Sequence, residues 1–228
     1  MQPRHELKIE VSKADFFALK SRLSAVMNLD DNVGEKGYYR IRSLYFDTDS
    51  NKALREKLDG LSRREKYRIR FYNDNVEELR LEKKIKTANL GHKRYANLSK
   101  AEVDSIIAGE TEFLQGRDEL LSEFYIKLKY DGFKPKTIVE YDRIPFVYGP
   151  GNVRVTLDYN IKSGMWQENL TDLEAPLLKV PNDPVILEVK YDNFLPDVVA
   201  KLVATEGRNI MSFSKYAAAR SYEIGGLY

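Results

Sequence analysis

Ser62 to Tyr95, SRREKYRIRFYNDNVEELRLEKKIKTANLGHKRY, decides the fold of this chain. From Lys66 to Tyr72 the residues alternate with a period of two, so Lys66, Arg68 and Arg70 point one way and Tyr67, Ile69 and Phe71 the other. Asn73-Asp74-Asn75 is a turn signal, and Leu79 to Lys86 then alternates again with Arg80, Glu82, Lys84 and Lys86 on one side. The pattern predicts an antiparallel hairpin with one almost wholly cationic face. A third strand is expected over Gly91 to Asn97, adding His92, Lys93 and Arg94.

Like charges opposed across a sheet repel, so a face carrying Arg68, Arg70, Arg80, Lys84 and Lys86 calls for open water or a polyanion. A solvated sheet face is the plainer reading. Two features count against it. Glu65, Glu78 and Lys83 interrupt the opposite face, and alternating basic strands recur further along the chain.

Composition narrows the chemistry. The 228 residues suffice for one large domain over 1–228, and 43% hydrophobic content with 15 tyrosines suits a β-rich globular protein. Net charge is +2, from 37 basic and 35 acidic residues, so an anion site has to come from local segregation of charge. That argues against coating a nucleic acid and for a confined basic cavity; RNA-recognition aromatic motifs are absent as well. With no cysteine there is no disulfide, zinc thiolate or cysteine nucleophile, and His5 and His92 are too few for a histidine-rich metal centre. Carboxylates, lysines, arginines and a hard metal ion remain. MQPRHELKIEV carries no signal-type apolar core and no apolar run is long enough to cross a bilayer, so the expectation is a cytoplasmic protein without a membrane span.

In chain order, Glu6 to Val11 is expected as a strand with Glu6, Lys8 and Glu10 on one face, and Ser12 as the N-cap of a helix from Lys13 to about Met27 with Phe16, Leu19, Leu23 and Val26 as its apolar stripe. YYRIRSLYFDT is a long strand with Arg40 and Arg42 on one face; Asp47 to Leu58 reads as a short helix ending before Gly60. Ser99 and Glu102 form a capping-box pattern for a helix ending at Gly109, and Glu110 to Tyr130 reads mostly as helix. KTIVEYDRIPFVYG and NVRVTLDYNI make a second hairpin around Pro150-Gly151-Asn152, with Arg143 on the first strand and Arg154, Thr156 and Asp158 co-facial on the second. Residues 162–183, with the only tryptophan, Trp166, read as an irregular loop or lid in which a short strand is possible. PVILEVKY is the most apolar strand, and its lone charges Glu188 and Lys190 mark either a sheet edge or positions placed for chemistry. Helices are expected near Pro196 to Thr205 and Phe213 to Ala219, with Ser214 and Lys215 opening the last as a cap or an anion site.

Seven or eight strands and four to five helices make an α+β fold, and the charge alternation fits an antiparallel β-barrel tunnel with flanking helices. If those faces line a lumen, Lys8, Arg68, Arg70, Lys84, Lys93, Arg143 and Arg154 can hold several phosphates in a row. Glu6, Glu10, Glu82, Asp158 and Glu188 then serve either as ligands of Mg2+ or Mn2+ or as partners holding the lysines in place. Salt-bridge ladders on a solvated sheet remain the alternative.

Several segments together resemble a known family. R-H-E-L-K, S-L-Y-F-D-T (Ser43 to Thr48), K-Y-R-I-R-F-Y (Lys66 to Tyr72), L-E-K-K (Leu81 to Lys84), Y-D-R-I-P-F (Tyr141 to Phe146), R-V-T-L-D (Arg154 to Asp158), L-E-V-K-Y (Leu187 to Tyr191) and F-S-K-Y (Phe213 to Tyr216) resemble, in order, the VTC domain. That is the catalytic domain of the vacuolar transporter chaperone polyphosphate polymerases, in the triphosphate tunnel metalloenzyme superfamily. The resemblance implies a β-barrel tunnel and transfer of the ATP γ-phosphoryl group to a growing polyphosphate chain, assisted by Mn2+ or Mg2+. By motif, Arg68 and Arg70 hold nucleotide phosphates; Lys8, Lys84, Lys93, Arg143 and Arg154 line the tunnel. Glu188 is the metal ligand with Lys190 beside it, and Ser214 and Lys215 contact phosphates near one end. The chain departs from the superfamily's hydrolytic members, whose first strand carries E-x-E-x-K, in having Glu6-Leu7-Lys8-Ile9-Glu10. It also looks like the stand-alone bacterial form, without phosphate-sensing or transmembrane segments. Three functions follow as expectations: an ATP-dependent polymerase, a triphosphatase or polyphosphatase, and a polyphosphate or nucleotide binder without turnover.

Overall fold

The structure is a computed structural model and describes residues 4–87, 90–205, 207 and 210–223. In chain order its strands and helices are β1 (His5–Val11), α1 (Lys13–Ser24), β2 (Asn28–Leu29), β3 (Tyr39–Asp47), α2 (Lys52–Leu58), β4 (Arg63–Tyr72), β5 (Leu79–Thr87), β6 (Leu90–Leu98), α3 (Lys100–Ala108), α4 (Glu119–Lys129), β7 (Lys134–Tyr148), β8 (Val153–Ser163), β9 (Leu178–Lys179), β10 (Val185–Tyr191), α5 (Asp197–Val203) and α6 (Lys215–Ala219). The first three residues of the N-terminal reading lie outside the described residues. Among the described residues no helix is long and apolar enough to cross a membrane.

The chain forms two compact units. Unit 1 is Met1–Arg40, Tyr141–Ile161 and Lys179–Ser214; unit 2 is Ile41–Glu140, Lys162–Leu178 and Lys215–Tyr228. The boundaries fall inside β3, β7, β8 and β9 and just before α6.

In unit 2 the strand order is β7-β3-β4-β5-β6. The expected hairpin is β4 and β5, paired antiparallel with Arg68 opposite Glu82 and Arg70 opposite Arg80. Its turn bends through Asn73 and Asp74, both at left-handed φ (51° and 60°), a conformation short polar side chains tolerate. Tyr67, Ile69, Phe71 and Leu81 pack against Val103 and Ile106 of α3 and Leu121 and Phe124 of α4. The helices therefore cover the odd-numbered face and leave the even-numbered, cationic face to its own partners. This also explains the charges that interrupt the covered face. Lys83 pairs with Glu65 (3.0 Å) and Glu123, while Lys127 of α4 pairs with Glu65 (2.7 Å), a network tying helix to sheet. Glu78 precedes β5 and lies beside Arg80 (4.0 Å), so it does not interrupt that face.

In unit 1 the order is β1-β10-β8-β7, with β2 added to β7. β10 pairs antiparallel with both β1 and β8, so Glu188 and Lys190 stand on an internal strand and the edge reading is excluded. Leu19 and Leu23 of α1 and Val199 of α5 pack on Val155, Leu157, Leu187 and Val189.

Several boundaries differ from expectation. α1 ends at Ser24 with Ala25 as its C-cap, and the N–H groups of Val26 and Met27 both close onto the Leu23 carbonyl (3.1 and 2.8 Å); Val26 is 44% exposed and Met27 is buried in its place. α2 begins at Lys52, since Asp47 ends β3 and uses its carboxylate to accept N–H bonds from Ala53 and Leu54 (2.8 and 3.1 Å) at the helix start. The 110–130 stretch is split into a 3-10 turn, Glu112–Leu114, and α4, because Gly116 takes a left-handed φ of 75° and Asp118 caps a new helix. The capping boxes Ser12/Asp15 and Ser99/Glu102 are present, the second helix closing at Gly109 with φ 86°. Of residues 162–183, the first two complete β8, which runs to Ser163, β9 is the short strand, and the rest is irregular, with Trp166 74% exposed.

Candidate functional site

The even-numbered face of unit 2 is built of cross-strand rows. Register places Tyr45, Arg68, Glu82 and Tyr95 in one row across β3, β4, β5 and β6. Ser43, Arg70, Arg80 and Asn97 make a second row, and Lys66, Lys84 and Lys93 a third. Glu82, only 3% exposed, is the hub. Arg68 donates to it through Nε and Nη2 (2.9 and 2.7 Å), Arg70 Nη1 lies at 3.5 Å, and Lys93 also pairs with it. Burial works to raise the Glu82 carboxyl, but Arg68, Arg70 and Lys93 outweigh it and hold its pKa down to about 2. Arg68 is further fixed by the Tyr45 hydroxyl (2.7 Å), and Arg70 by Ser43 (3.3 Å) and Tyr72 (3.2 Å). Three cations around one carboxylate leave a local charge of +2, oriented by hydrogen bonds to neutral hydroxyls.

In unit 1 the rows are Glu6–Lys190–Arg154, Lys8–Glu188–Thr156 and Glu10–Ile186–Asp158 across β1, β10 and β8. Lys8 bridges Glu6 (3.1 Å) and Glu188 (3.4 Å), and Lys190 bridges the same two carboxylates at 3.7 and 2.5 Å. Burial alone would lower the Lys8 pKa, but Glu188 and Glu6 outweigh it and hold the ammonium above its usual value. Arg143 forks onto Asp158 through Nε and Nη2 (2.6 and 2.7 Å), which keeps the guanidinium charged despite its burial; the negative charge of Glu188 works in the same direction. Arg154 donates to the Tyr39 hydroxyl (2.6 Å) and pairs with Asp30 (3.1 Å).

The residues expected from sequence thus fall into two sets. Arg68, Arg70, Lys84 and Lys93 share one face in unit 2; Lys8, Glu188, Lys190 and Arg154 share one in unit 1, with Arg143 bound to that face through Asp158. Ser214 and Lys215 are half-buried, and α6, which Lys215 opens, has only five residues, too short to act as a helix-end anion site. The segment just before Ser214 runs beside β1, with Met211 N–H donating to the Lys8 carbonyl (2.8 Å). Sequence reading assigned no role to Tyr39, Tyr45 or Tyr95. Their parity with the neighbouring cations was the available signal, but the rows needed the register.

A divalent ion has partial provision. Among the described residues no three carboxylate or histidine side chains gather as a metal-binding group. Magnesium-type ions, however, commonly take one or two protein carboxylates and complete their shell with water and substrate phosphate. Glu188 and Glu6, bridged by the same two lysines, supply two, and the Thr156 hydroxyl, in register opposite Glu188, is buried without a hydrogen-bond partner. The donor set fits an ion that arrives with phosphate.

No curated protein is similar to this chain. Among solved structures, a putative adenylyl cyclase from Hippeastrum with a dominant triphosphatase activity is similar at 16% identity, covering 97% of this chain and 96% of its own, with a TM-score of 0.52. A putative adenylate cyclase from Bacillus halodurans is similar at 18% identity, covering 83% of this chain and 80% of its own, with a TM-score of 0.48. The likeness to the Hippeastrum protein is one of fold, and it bears out the antiparallel α+β class with flanking helices read from the sequence. The VTC domain model matches residues 3–223, nearly the whole length, and the chain belongs to the VTC domain family.

Proposed function

We propose that the protein is an ATP-dependent polyphosphate polymerase, moving the γ-phosphoryl group of ATP onto the end of a polyphosphate chain. The observation that carries this reading is the cluster of Arg68, Arg70 and Lys93 around buried Glu82. It is an electropositive, pre-oriented array, suited to several phosphate oxygens and stiff enough to favour charge as it develops in transfer.

Arg68, Arg70, Lys84 and Lys93 hold phosphates by charge and by guanidinium forks; Lys8, Lys190, Arg143 and Arg154 do so on their own face, with Ser214 and Lys215 as further phosphate contacts. Glu188, with Glu6, holds the divalent ion, Mn2+ or Mg2+, which when bound offsets negative charge on phosphate oxygens. In the transfer an oxygen of the acceptor's terminal phosphate forms a bond to the γ-phosphorus, the bond to the β–γ bridging oxygen breaks, and ADP leaves. A phosphate oxygen is already anionic, so no side chain need act as a strong base. Lys8 stands in the middle of Glu6-Leu7-Lys8-Ile9-Glu10, where the hydrolytic signature has a carboxylate, and it binds Glu188 directly. Glu10 in turn stands where that signature has its lysine, so the strand keeps two carboxylates and one cation in a changed order, and the ammonium now at the middle position distinguishes this face from the hydrolytic arrangement. If water were the acceptor, the same parts would make a triphosphatase; product length separates the two.

Glu188 tests the assignment. Glu188→Ala removes the metal ligand and leaves Lys8 and Lys190 with one carboxylate fewer. We expect metal-dependent ATP turnover to fall by about a hundredfold or more, while tripolyphosphate binding, followed by calorimetry, stays equal or tightens. Unchanged turnover with unchanged metal dependence would remove Glu188 from the site.

A further inference from the structure

The cationic face of unit 2 carries one aromatic ring with no place in the phosphate chemistry. Tyr95 stands on β6 directly opposite Glu82, in the row Tyr45–Arg68–Glu82–Tyr95. Its neighbour along the strand on the same face is Lys93, which pairs with Glu82. Unlike Tyr45, which Arg68 engages, Tyr95 is 64% exposed. Its other neighbour is Arg80, itself nearly half exposed, whose guanidinium carbon lies 5.9 Å from the ring centroid.

A lone exposed tyrosine on a strand is ordinary. This one differs in what surrounds it. Adjacent strands are spaced by about 4.8 Å and alternate residues along one by about 6.6 Å, so Tyr95 is within roughly 10 Å of Arg68 and closer still to Lys93. An open aromatic face, flanked by a guanidinium and set beside phosphate-binding cations, matches a ligand with an aromatic head and a polyanionic tail. Inorganic polyphosphate has only the tail. A nucleoside triphosphate has both.

We propose that Tyr95, flanked by Arg80, is a nucleobase-stacking platform that lets the cationic face of unit 2 bind nucleoside triphosphates in preference to tripolyphosphate of equal charge. The proposal rests on the phosphate-binding reading of Arg68, Arg70 and Lys93. Stacking uses the π-face common to all bases, so it selects for a base with little preference among them. Arg80 adds a cation over the stacked rings.

The test is calorimetric titration of the full chain with ATP and, separately, with tripolyphosphate, for wild type and for Tyr95→Ala, Tyr95→Phe and Tyr95→Trp. Thermal melts run alongside confirm that each variant folds. Tyr95→Ala should weaken ATP by roughly tenfold to a hundredfold, the range of one lost base stack, and leave tripolyphosphate within about twofold. Tyr95→Phe and Tyr95→Trp, which keep a ring, should retain wild-type ATP affinity. Equal loss of both ligands, or no change in ATP affinity, overturns the stacking role while leaving phosphate binding intact. Failure of wild type to bind either ligand overturns the phosphate-binding reading and the platform with it.

Discussion

Glu82 faces three positive charges with one negative charge while almost wholly buried, so its contribution depends on staying ionised. Its carboxyl is lowered from 4.5 to about 2, a shift equivalent to about 3 kcal/mol. For a depressed carboxyl, this stability is present above 4.5 and is lost as the pH falls toward about 2. Glu82→Gln should therefore destabilise the protein by about 3 kcal/mol at pH 7, with the gap to wild type narrowing as the pH is taken down towards about 3. Urea unfolding of the two proteins at both pH values checks this; a gap independent of pH would mean that Glu82 acts through its shape. The sequence shows Glu82 among cations of the same parity. It does not show that Arg68, Arg70 and Lys93 meet at its carboxylate, because that depends on the registers of β4 with β5 and of β5 with β6.

At the scale of elements, the strands carrying the charge pattern were legible because alternation survives any tertiary context. Lys66 to Tyr72, Leu79 to Lys86 and Val185 to Tyr191 all lie within strands. Boundaries set by distant partners were not. Asp47 reads locally as the first residue of a helix, yet it ends β3 and accepts from Thr48, Ala53 and Leu54 N–H groups and from the Tyr216 hydroxyl (2.6 Å). One carboxylate thereby joins β3, the start of α2 and α6. Asp47→Ala should cost about 3 kcal/mol or more, since it strips a cap and leaves buried donors unpaired, whereas Tyr216→Phe, losing two charge-assisted bonds (one donated to Asp47, one accepted from Arg220 at 2.9 Å), should cost about 2–3 kcal/mol. Thermal or urea unfolding measures both. A cost below about 1 kcal/mol for Asp47→Ala would show that the helix start is held by something else. The position of β10 was hidden for a similar reason: a strand flanked on both sides and one at an edge can carry the same residues, and only the pairing with β1 and β8 separates them.

For the whole molecule, a net charge of +2 conceals strong segregation: lysines and arginines occupy chosen faces while most acidic groups serve as their partners. Composition alone pointed to local anion binding, and the family resemblance pointed to polyphosphate. Neither could show that the buried carboxylates Glu82, Asp158 and Glu188 hold the cations in place, since Arg68, Arg70, Lys93, Arg143 and Lys8 each lie on a different strand from the carboxylate they meet. The central claim is the transfer of phosphoryl groups from ATP to a growing chain. Purified protein incubated with ATP and Mn2+, its products resolved on a polyacrylamide gel stained for polyphosphate, tests it directly. A ladder of long chains is expected, with ADP released in step with the phosphate incorporated. Orthophosphate as the sole product, or no nucleotide turnover at all, would contradict it.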